Sequence, residues 1–276
     1  MKKFEVLKRI RKPSPSPLQF LRLNRAEFAS TFKKLEYDFE NYYPDINPLL
    51  LSVSKYFSVK NKNVFIGAGA ETIIKDLFLL MYLKNKKNVL LNPTNFFMYN
   101  YYSKLFNFKQ TNYIFNPIDI KSLTVKSIKS KLNNKNIDLI ILVNPSHPFE
   151  NYFNKKKIKE ILNICKKKDV FVLLDEVYLT NNKISSINLI RRYKNLIILK
   201  SLSKVPGFPG LRVAFAFGDQ NIINELNTVR LAIEMPEYNI RKASKYLSKP
   251  LKYIDPRIKE IIDARKFANK EFKKIF

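Results

Sequence analysis

One segment of the chain combines residue types that can bind an anion and react with a carbonyl group. The hydroxyls of Ser201 and Ser203 and the amine of Lys204 follow an apolar run in close succession, and Arg212 comes eight residues later. Hydroxyls and a guanidinium that converge on one spot suit a phosphate, and a lysine beside them can form a Schiff base. Most of the 51 lysines and arginines must be solvated. It is therefore the spacing of this segment that indicates a site.

A second segment places an acid at the end of another apolar run. Asp175 follows residues 170–174, and Tyr178 comes three positions later. A carboxylate buried at the end of a strand is costly unless it has a charged partner, and a protonated pyridine nitrogen is such a partner. The alternative is structural: Asp175 caps the helix that follows.

A third segment is a glycine turn between a predicted strand and a predicted helix. Backbone N–H groups at a helix N-terminus bind phosphate, and here Gly67 and Gly69 form the turn before the predicted helix. A dinucleotide-binding fingerprint is excluded, because Thr72 stands where its third glycine is needed.

Taken together, these segments resemble the cofactor motifs of the class I and II aminotransferases, especially the histidinol-phosphate aminotransferase-like branch. The family motif T-x-S-K-x-x-G-L-x-G-L-R contains the lysine that holds pyridoxal 5′-phosphate as an internal aldimine. The resemblance implies this role for Lys204. It also implies that Ser201, Ser203 and Arg212 bind the cofactor phosphate.

The other two segments fit the same family. Its D-E-A-Y motif implies that Asp175 pairs with the ring nitrogen of the cofactor and that Tyr178 contacts the ring hydroxyl. Its G-x-G-[SA] stretch implies that the backbone amides of Ala70 and Glu71 reach the phosphate.

Further positions resemble the family less closely. Phe96 is expected to stack on the cofactor ring, with Phe97 as the alternative, and His147 replaces an asparagine that touches the ring hydroxyl. Tyr43 is expected to reach the phosphate of the neighbouring subunit's cofactor. Three residues of the N-terminal segment would border the substrate pocket: Arg22, Asn24 and Glu27.

Apolar runs that alternate with amphipathic helices predict an α/β fold. The resemblance implies the large domain of the fold-type I pyridoxal-phosphate transferases, a mostly parallel sheet with helices on both faces. We predict an N-terminal arm at 1–45, the cofactor-binding domain at 46–235 and connecting helices at 236–276. The predicted strands are 64–66, 89–91, 113–115, 139–143, 170–174, 196–199 and 213–217.

The composition sets limits on other functions. One cysteine and one histidine exclude a disulfide framework and the usual zinc sites, so no metal is expected. The net charge of +28 is compatible with a nucleic-acid partner, but the lysines are scattered and compositional drift explains them better. With no secretory signal or membrane span in the sequence, we expect a cytoplasmic protein.

The resemblance predicts an aminotransferase that acts on an amino acid or an amino-alcohol phosphate, with a keto acid as acceptor. We also expect a homodimer. Two alternatives stay open: a decarboxylase of a phosphorylated amino acid, and a cofactor-binding protein without turnover. The second arises because the chain ends within the helix that precedes the family's small domain, as expected for a fragment, for a lost domain or for a part that a partner supplies.

Overall fold

A seven-stranded sheet forms the centre of the protein. The structure, a computed structural model, describes residues 43–92, 96–113, 124–147, 152–232 and 234–275. Within them the strand order is β1-β7-β6-β5-β4-β2-β3. The strands are β1 Val64–Gly67, β2 Asn88–Leu91, β3 Lys109–Asn112, β4 Leu139–Val143, β5 Phe171–Asp175, β6 Leu196–Ser201 and β7 Ala214–Phe217.

The sheet is mostly parallel, as predicted. Strands β3, β2, β4, β5 and β6 run parallel to one another, whereas β7 is antiparallel to both β6 and β1. Parallel strands end at the same edge of a sheet, so the segments that follow β5 and β6 lie side by side.

The third strand lies earlier than predicted. It covers Lys109–Asn112 and ends before Tyr113, so the prediction of a strand at 113–115 is wrong at its first residue; residues 114 and 115 lie outside the described part of the chain. The strand is polar and sits at the edge of the sheet. Polar residues are common on edge strands, which lack a second neighbour, so β3 lacks the continuous apolar run that predicts a buried strand.

Helices cover both faces of the sheet, as predicted. The helices α2, α3 and α6 pack on one face, and α1, α4, α5 and α7 pack on the other. The helices are α1 Asn47–Phe57, α2 Ala70–Leu83, α3 Phe97–Leu105, α4 Val125–Asn134, α5 Lys155–Lys167, α6 Gln220–Val229, α7 Glu237–Ser248, α8 Pro250–Tyr253 and α9 Asp255–Ile275.

The pattern of β4 explains why the core has two halves. All five of its residues are buried; Ile140 and Leu142 belong to one half, while Leu139, Ile141 and Val143 belong to the other. A strand that is covered on both faces needs a continuous apolar run, because successive side chains point in opposite directions.

The helix α7 packs on the same core as α1. Ile240 and Leu247 lie in a cluster with Leu49, and the hydroxyls of Ser52 and Ser244 are 2.7 Å apart. Helix α7 is therefore packed on the sheet, next to the rest of the core. The domain boundary predicted after residue 235 stays a prediction. None of the helices in the described ranges is long and apolar enough to cross a bilayer.

Candidate cofactor site

The candidate residues meet at the carboxyl edge of β5 and β6. Asp175 is the last residue of β5, and Lys204 follows the end of β6 by three residues. The two strands are neighbours, with Asp175 opposite Leu199. The topology thus brings the lysine and the acid to one place, as the sequence motifs predict.

Asp175 is held by two directed hydrogen bonds. The Tyr99 hydroxyl donates to Oδ2 at 2.7 Å, and the Val177 backbone N–H donates to Oδ1 at 2.9 Å. Burial raises the pKa of Asp175 to about 6, although both hydrogen bonds oppose the rise. Asp175 therefore also has the structural role that was the alternative in the sequence analysis: its carboxylate accepts a backbone N–H of the segment that follows, but this segment is a turn and not a helix.

Tyr178 and His147 form a stacked pair beside Lys204. Their ring centroids are 4.5 Å apart with an angle of 6° between the planes. The Lys204 ammonium lies 6.0 Å from the centre of the Tyr178 ring, and both Lys204 and His147 are exposed. Burial, followed by the charge of Asp175, raises the pKa of the Tyr178 hydroxyl. Three of the predicted cofactor residues therefore share one surface.

Arg212 lies against the glycine turn at the start of α2. A Cβ at Gly69 would be 2.5 Å from Nη2 of Arg212, and the φ angle of Gly69 is +96°. Both facts require glycine there. Helix α2 begins at Ala70, so its first backbone N–H groups and the Arg212 guanidinium lie around one turn. Each of these groups favours an anion.

The two serines after β6 differ in their hydrogen bonding. The Ser201 hydroxyl donates to the Val213 carbonyl at 3.3 Å and accepts from the Ser203 N–H at 3.0 Å, so it is engaged within the turn. The Ser203 hydroxyl is buried and has no hydrogen-bond partner among the described residues. A buried unpaired hydroxyl is costly. Ser203 thus fits a site that receives a phosphate, and the same role for Ser201 stays a prediction.

Two aromatic residues that the sequence assigned to the cofactor site, Phe96 and Tyr43, are exposed. Phe96 immediately precedes α3 with 44% of its surface exposed, and its ring packs at 5.1 Å from Phe97 and 6.3 Å from Tyr99. Tyr43 is 53% exposed, and its role toward a neighbouring subunit stays a prediction. The residues expected to border the substrate pocket lie outside the described part of the chain: Arg22, Asn24 and Glu27.

Glu71 takes part in the site region through its side chain as well. The Tyr102 hydroxyl donates to Oε1 of Glu71 at 3.1 Å, which raises the pKa of that hydroxyl to about 12, with burial as the larger cause. This bond orients the Glu71 carboxylate toward α3, and the predicted contribution of Glu71 to the phosphate is its backbone amide. No group of three or more acidic, histidine or cysteine side chains in the described residues is arranged to hold a metal ion.

Sequence reasoning missed three elements of the site. Tyr99 orients Asp175. Asn144 supports the neighbouring loop by accepting from the Phe153 N–H and donating to its carbonyl. Glu176 and Lys200 form a buried ion pair. Only the ion pair had a signal, since opposite charges next to two adjacent apolar strands imply a partner for each.

The match to known proteins extends over most of the chain. The family described as "Aminotransferase class I and II" matches residues 40–275. The chain belongs to the class I and II aminotransferases. The curated relatives include the histidinol-phosphate aminotransferase of Clostridium novyi (strain NT), 28% identical over 246 residues, and that of Buchnera aphidicola subsp. Cinara cedri (strain Cc), 30% identical over 248 residues.

The alignments cover most of this chain but only part of those relatives. Each alignment covers 87% of the chain but 66% and 69% of the relative, so the chain spans about two thirds of their length. Its fold is similar to the histidinol-phosphate aminotransferase of Clostridium acetobutylicum, with a TM-score of 0.74 and 23% identity over 85% of the chain and 69% of that structure. It is also similar to L-threonine-O-3-phosphate decarboxylase of Porphyromonas gingivalis, with a TM-score of 0.66 and 19% identity over 79% and 63%.

Proposed function

We propose that the chain binds pyridoxal 5′-phosphate through Lys204 and transfers an amino group from an amino acid or an amino-alcohol phosphate to a keto acid. The observation that carries the proposal is the meeting of Lys204, Asp175 and the Arg212–Gly69 turn around one carboxyl edge of the sheet. The names of the relatives, histidinol-phosphate aminotransferases, support the same reaction class.

The phosphate end of the cofactor would be held by groups that fit an anion. Ser203 offers a buried hydroxyl without a partner among the described residues. Arg212 offers a guanidinium, and Ala70 and Glu71 offer backbone N–H groups at the start of α2. Charge-assisted hydrogen bonds of this kind are about twice as strong as neutral ones.

The other end of the site would hold and move protons. Asp175 would keep a proton on the ring nitrogen, and the hydroxyl of Tyr178 would contact the ring hydroxyl. When bound, the cofactor withdraws electrons from the substrate carbon that loses its proton. The amine of Lys204 is the base that we assign to that proton, because it is exposed and lies 6.0 Å from the Tyr178 ring.

The ionisation of Asp175 predicts the direction of the pH dependence. The pKa of about 6 means that the carboxylate of the unliganded protein gains its charge as the pH rises through 6. The ring nitrogen needs this charge to keep its proton, so cofactor binding should strengthen from pH 5 to pH 7.

The proposed assembly is a homodimer in which Tyr43 of one subunit reaches the cofactor phosphate of the other. The exposure of Tyr43, which leaves its ring open to a neighbouring subunit, supports this arrangement. A two-fold interface would let both arms cross in the same way.

Borohydride reduction tests the cofactor assignment. Reduction of the protein loaded with pyridoxal phosphate, followed by peptide mapping, should place the label on Lys204, and Lys204→Ala should carry none. Arg212→Ala should bind the cofactor about ten- to a hundredfold more weakly, since a hydrogen bond to a charged group contributes about 1.5–3 kcal/mol. Label on another lysine would contradict the proposal.

Product analysis separates the two reaction classes. With a keto-acid acceptor, an aminotransferase yields a new amino acid, whereas a decarboxylase releases carbon dioxide from a phosphorylated amino acid. Cofactor bound at Lys204 without either product would instead support a binding protein without turnover.

A further inference from the structure

Behind the candidate site, on the opposite side of the sheet from Asp175, lies a buried ion pair. The Lys200 ammonium is 3.2 Å from Oε2 of Glu176, and the two side chains are only 6% and 1% exposed. Glu176 directly follows Asp175, and Lys200 directly precedes Ser201. Successive residues of a strand point to opposite faces, so the pair lies beneath the residues assigned to the cofactor.

Every polar atom of the Glu176 carboxylate is engaged. Oε1 accepts from the Ser186 N–H at 2.7 Å, and Oε2 accepts from the Ser185 hydroxyl in a short hydrogen bond as well as from Lys200. The Lys200 ammonium also donates to Oδ1 of Asn182 at 3.1 Å. These bonds tie both ends of the segment 176–186, which contains Tyr178, to the strand that leads to Lys204.

The pair also balances charge next to Asp175. Burial lowers the pKa of Lys200, and the adjacent carboxylate of Glu176 opposes that fall. For Asp175, the charge of Glu176 acts to raise the pKa and the charge of Lys200 acts to lower it. Without Lys200, two adjacent buried carboxylates would compete for one proton.

Several titratable groups surround the pair within the described residues. Tyr99 on α3 and Tyr178 after β5 face Asp175. Tyr56 on α1 accepts a hydrogen bond from the amide of Asn182, and Tyr152 before α5 is close enough for Glu176 to raise the pKa of its hydroxyl. These are tyrosines, which are neutral near pH 7, so Lys200 is the positive charge that balances Glu176 here.

We propose that Lys200 and Glu176 are positioning residues of the candidate site, which fix the turn carrying Tyr178 and leave the Asp175 carboxylate as the unbalanced charge that faces the cofactor. The inference rests on the proposed function, in which the Asp175 carboxylate pairs with the ring nitrogen of the cofactor. Neither residue touches the site surface itself.

The test compares variants that change the charge balance with one that keeps it. Lys200→Met leaves Glu176 buried without its cation, and the double variant Lys200→Met with Glu176→Gln removes both charges together. Asp175 is followed in the unliganded protein by NMR of ¹³C-labelled aspartate carboxyls, with Asp175→Asn for assignment. Cofactor affinity of each variant is measured in parallel.

We expect Lys200→Met to raise the Asp175 titration midpoint by about one unit or more. A rise from about 6 to about 7 lowers the ionised fraction at pH 7 from about nine tenths to about one half, so cofactor binding at pH 7 should weaken about twofold or more. The double variant should return the midpoint close to the wild-type value, and Lys200→Arg should preserve it. The matched control is Lys84→Met, which breaks the solvent-accessible ion pair between Lys84, at the end of α2, and Glu225 of α6 and should leave the midpoint unchanged.

A merely structural pair gives a different result. It would lower stability in Lys200→Met while the Asp175 midpoint stays at the wild-type value, and that outcome overturns the inference. A failure of the proposed function is seen separately, because wild-type protein would then bind no cofactor although its Asp175 titration could still be measured. If Lys200→Met does not fold, the single variant Glu176→Gln replaces it: this variant leaves the Lys200 charge unbalanced, so the Asp175 midpoint should fall, and an unchanged midpoint overturns the inference.

Discussion

Two carboxylates buried on the same side of the sheet, Asp175 and Asp76, have the same raised pKa but different hydrogen-bond partners. Burial raises the pKa of each to about 6. Asp175 accepts hydrogen bonds from Tyr99 and Val177 at the carboxyl edge of the sheet. Asp76 lies in the second turn of α2, and neither of its oxygens accepts a well-directed hydrogen bond from the described residues; the Lys75 ammonium 3.2 Å away forms an ion pair only.

This difference shows that a raised pKa does not identify a functional group. Burial is the main cause of the raised pKa of both acids, but only Asp175 has hydrogen-bond donors that fix its orientation and a position beside the lysine and the stacked rings. The charges near Asp76 are Lys75 and Arg230, which lower its pKa, and Glu234, which raises it. Geometry therefore separates a candidate catalytic carboxylate from one that is buried without hydrogen-bond donors among the described residues.

The largest expected effect compares the two asparagine variants in cofactor binding. Asp175→Asn removes the charge that faces the ring nitrogen, and the affinity for pyridoxal phosphate should fall about ten- to a hundredfold, the range of one charged hydrogen bond. Asp76→Asn should leave the affinity unchanged. Fluorescence or absorbance titration of the two unliganded variants measures both values.

Equal losses in the two variants would break the comparison, since Asp76 would then have a role in the site. An unchanged affinity in Asp175→Asn would remove Asp175 from the proposed cofactor residues.

The next largest effect is on the free energy of unfolding, which should increase more in Asp76→Asn than in Asp175→Asn. The folded pKa of about 6 exceeds the ordinary value of 3.8, so the folded state binds the proton more tightly and the protein loses stability as the pH rises from about 4 to 6. Asparagine does not titrate. Asp76→Asn should therefore gain about 2–3 kcal/mol over wild type between pH 4 and pH 7.

Urea unfolding of the unliganded proteins at several pH values checks this prediction. Asp175→Asn should gain less, because the carboxylate that it removes accepts two hydrogen bonds. If the stability difference between Asp76→Asn and wild type does not change with pH, folding does not raise the pKa of Asp76 and the prediction is wrong.

The smallest effect isolates the hydrogen bond from Tyr99. Tyr99→Phe removes a bond that lowers the pKa of Asp175, so that pKa should rise above 6 and cofactor affinity at pH 7 should fall about two- to tenfold, as for one neutral hydrogen bond. Tyr101→Phe is the matched control on the same helix, since Tyr101 is half exposed and its ring packs on Tyr102. Affinity titration at pH 6 and pH 8 measures the change, and equal values for both variants would deny Tyr99 its role.

The order of elements and the nature of the site could be predicted from the sequence alone. Continuous apolar runs and helical spacing are local properties, so β4, β5 and β6 were placed within one or two residues of the observed strands. The motif around Lys204 and the acid at Asp175 are also local, and the resemblance to the aminotransferases followed from them. The polar edge strand β3 was misplaced because it lacks the apolar signal.

Only the tertiary structure decided which side chains meet. Tyr99 reaches Asp175 across 76 residues of sequence. Arg212, which lies in the loop between β6 and β7, packs against the turn at Gly69. Helix and sheet packing sets these distances, and no spacing in the sequence encodes them. The same reason explains Glu176 and Lys200, whose charges the sequence displays but whose 3.2 Å contact arises only when β5 and β6 lie side by side.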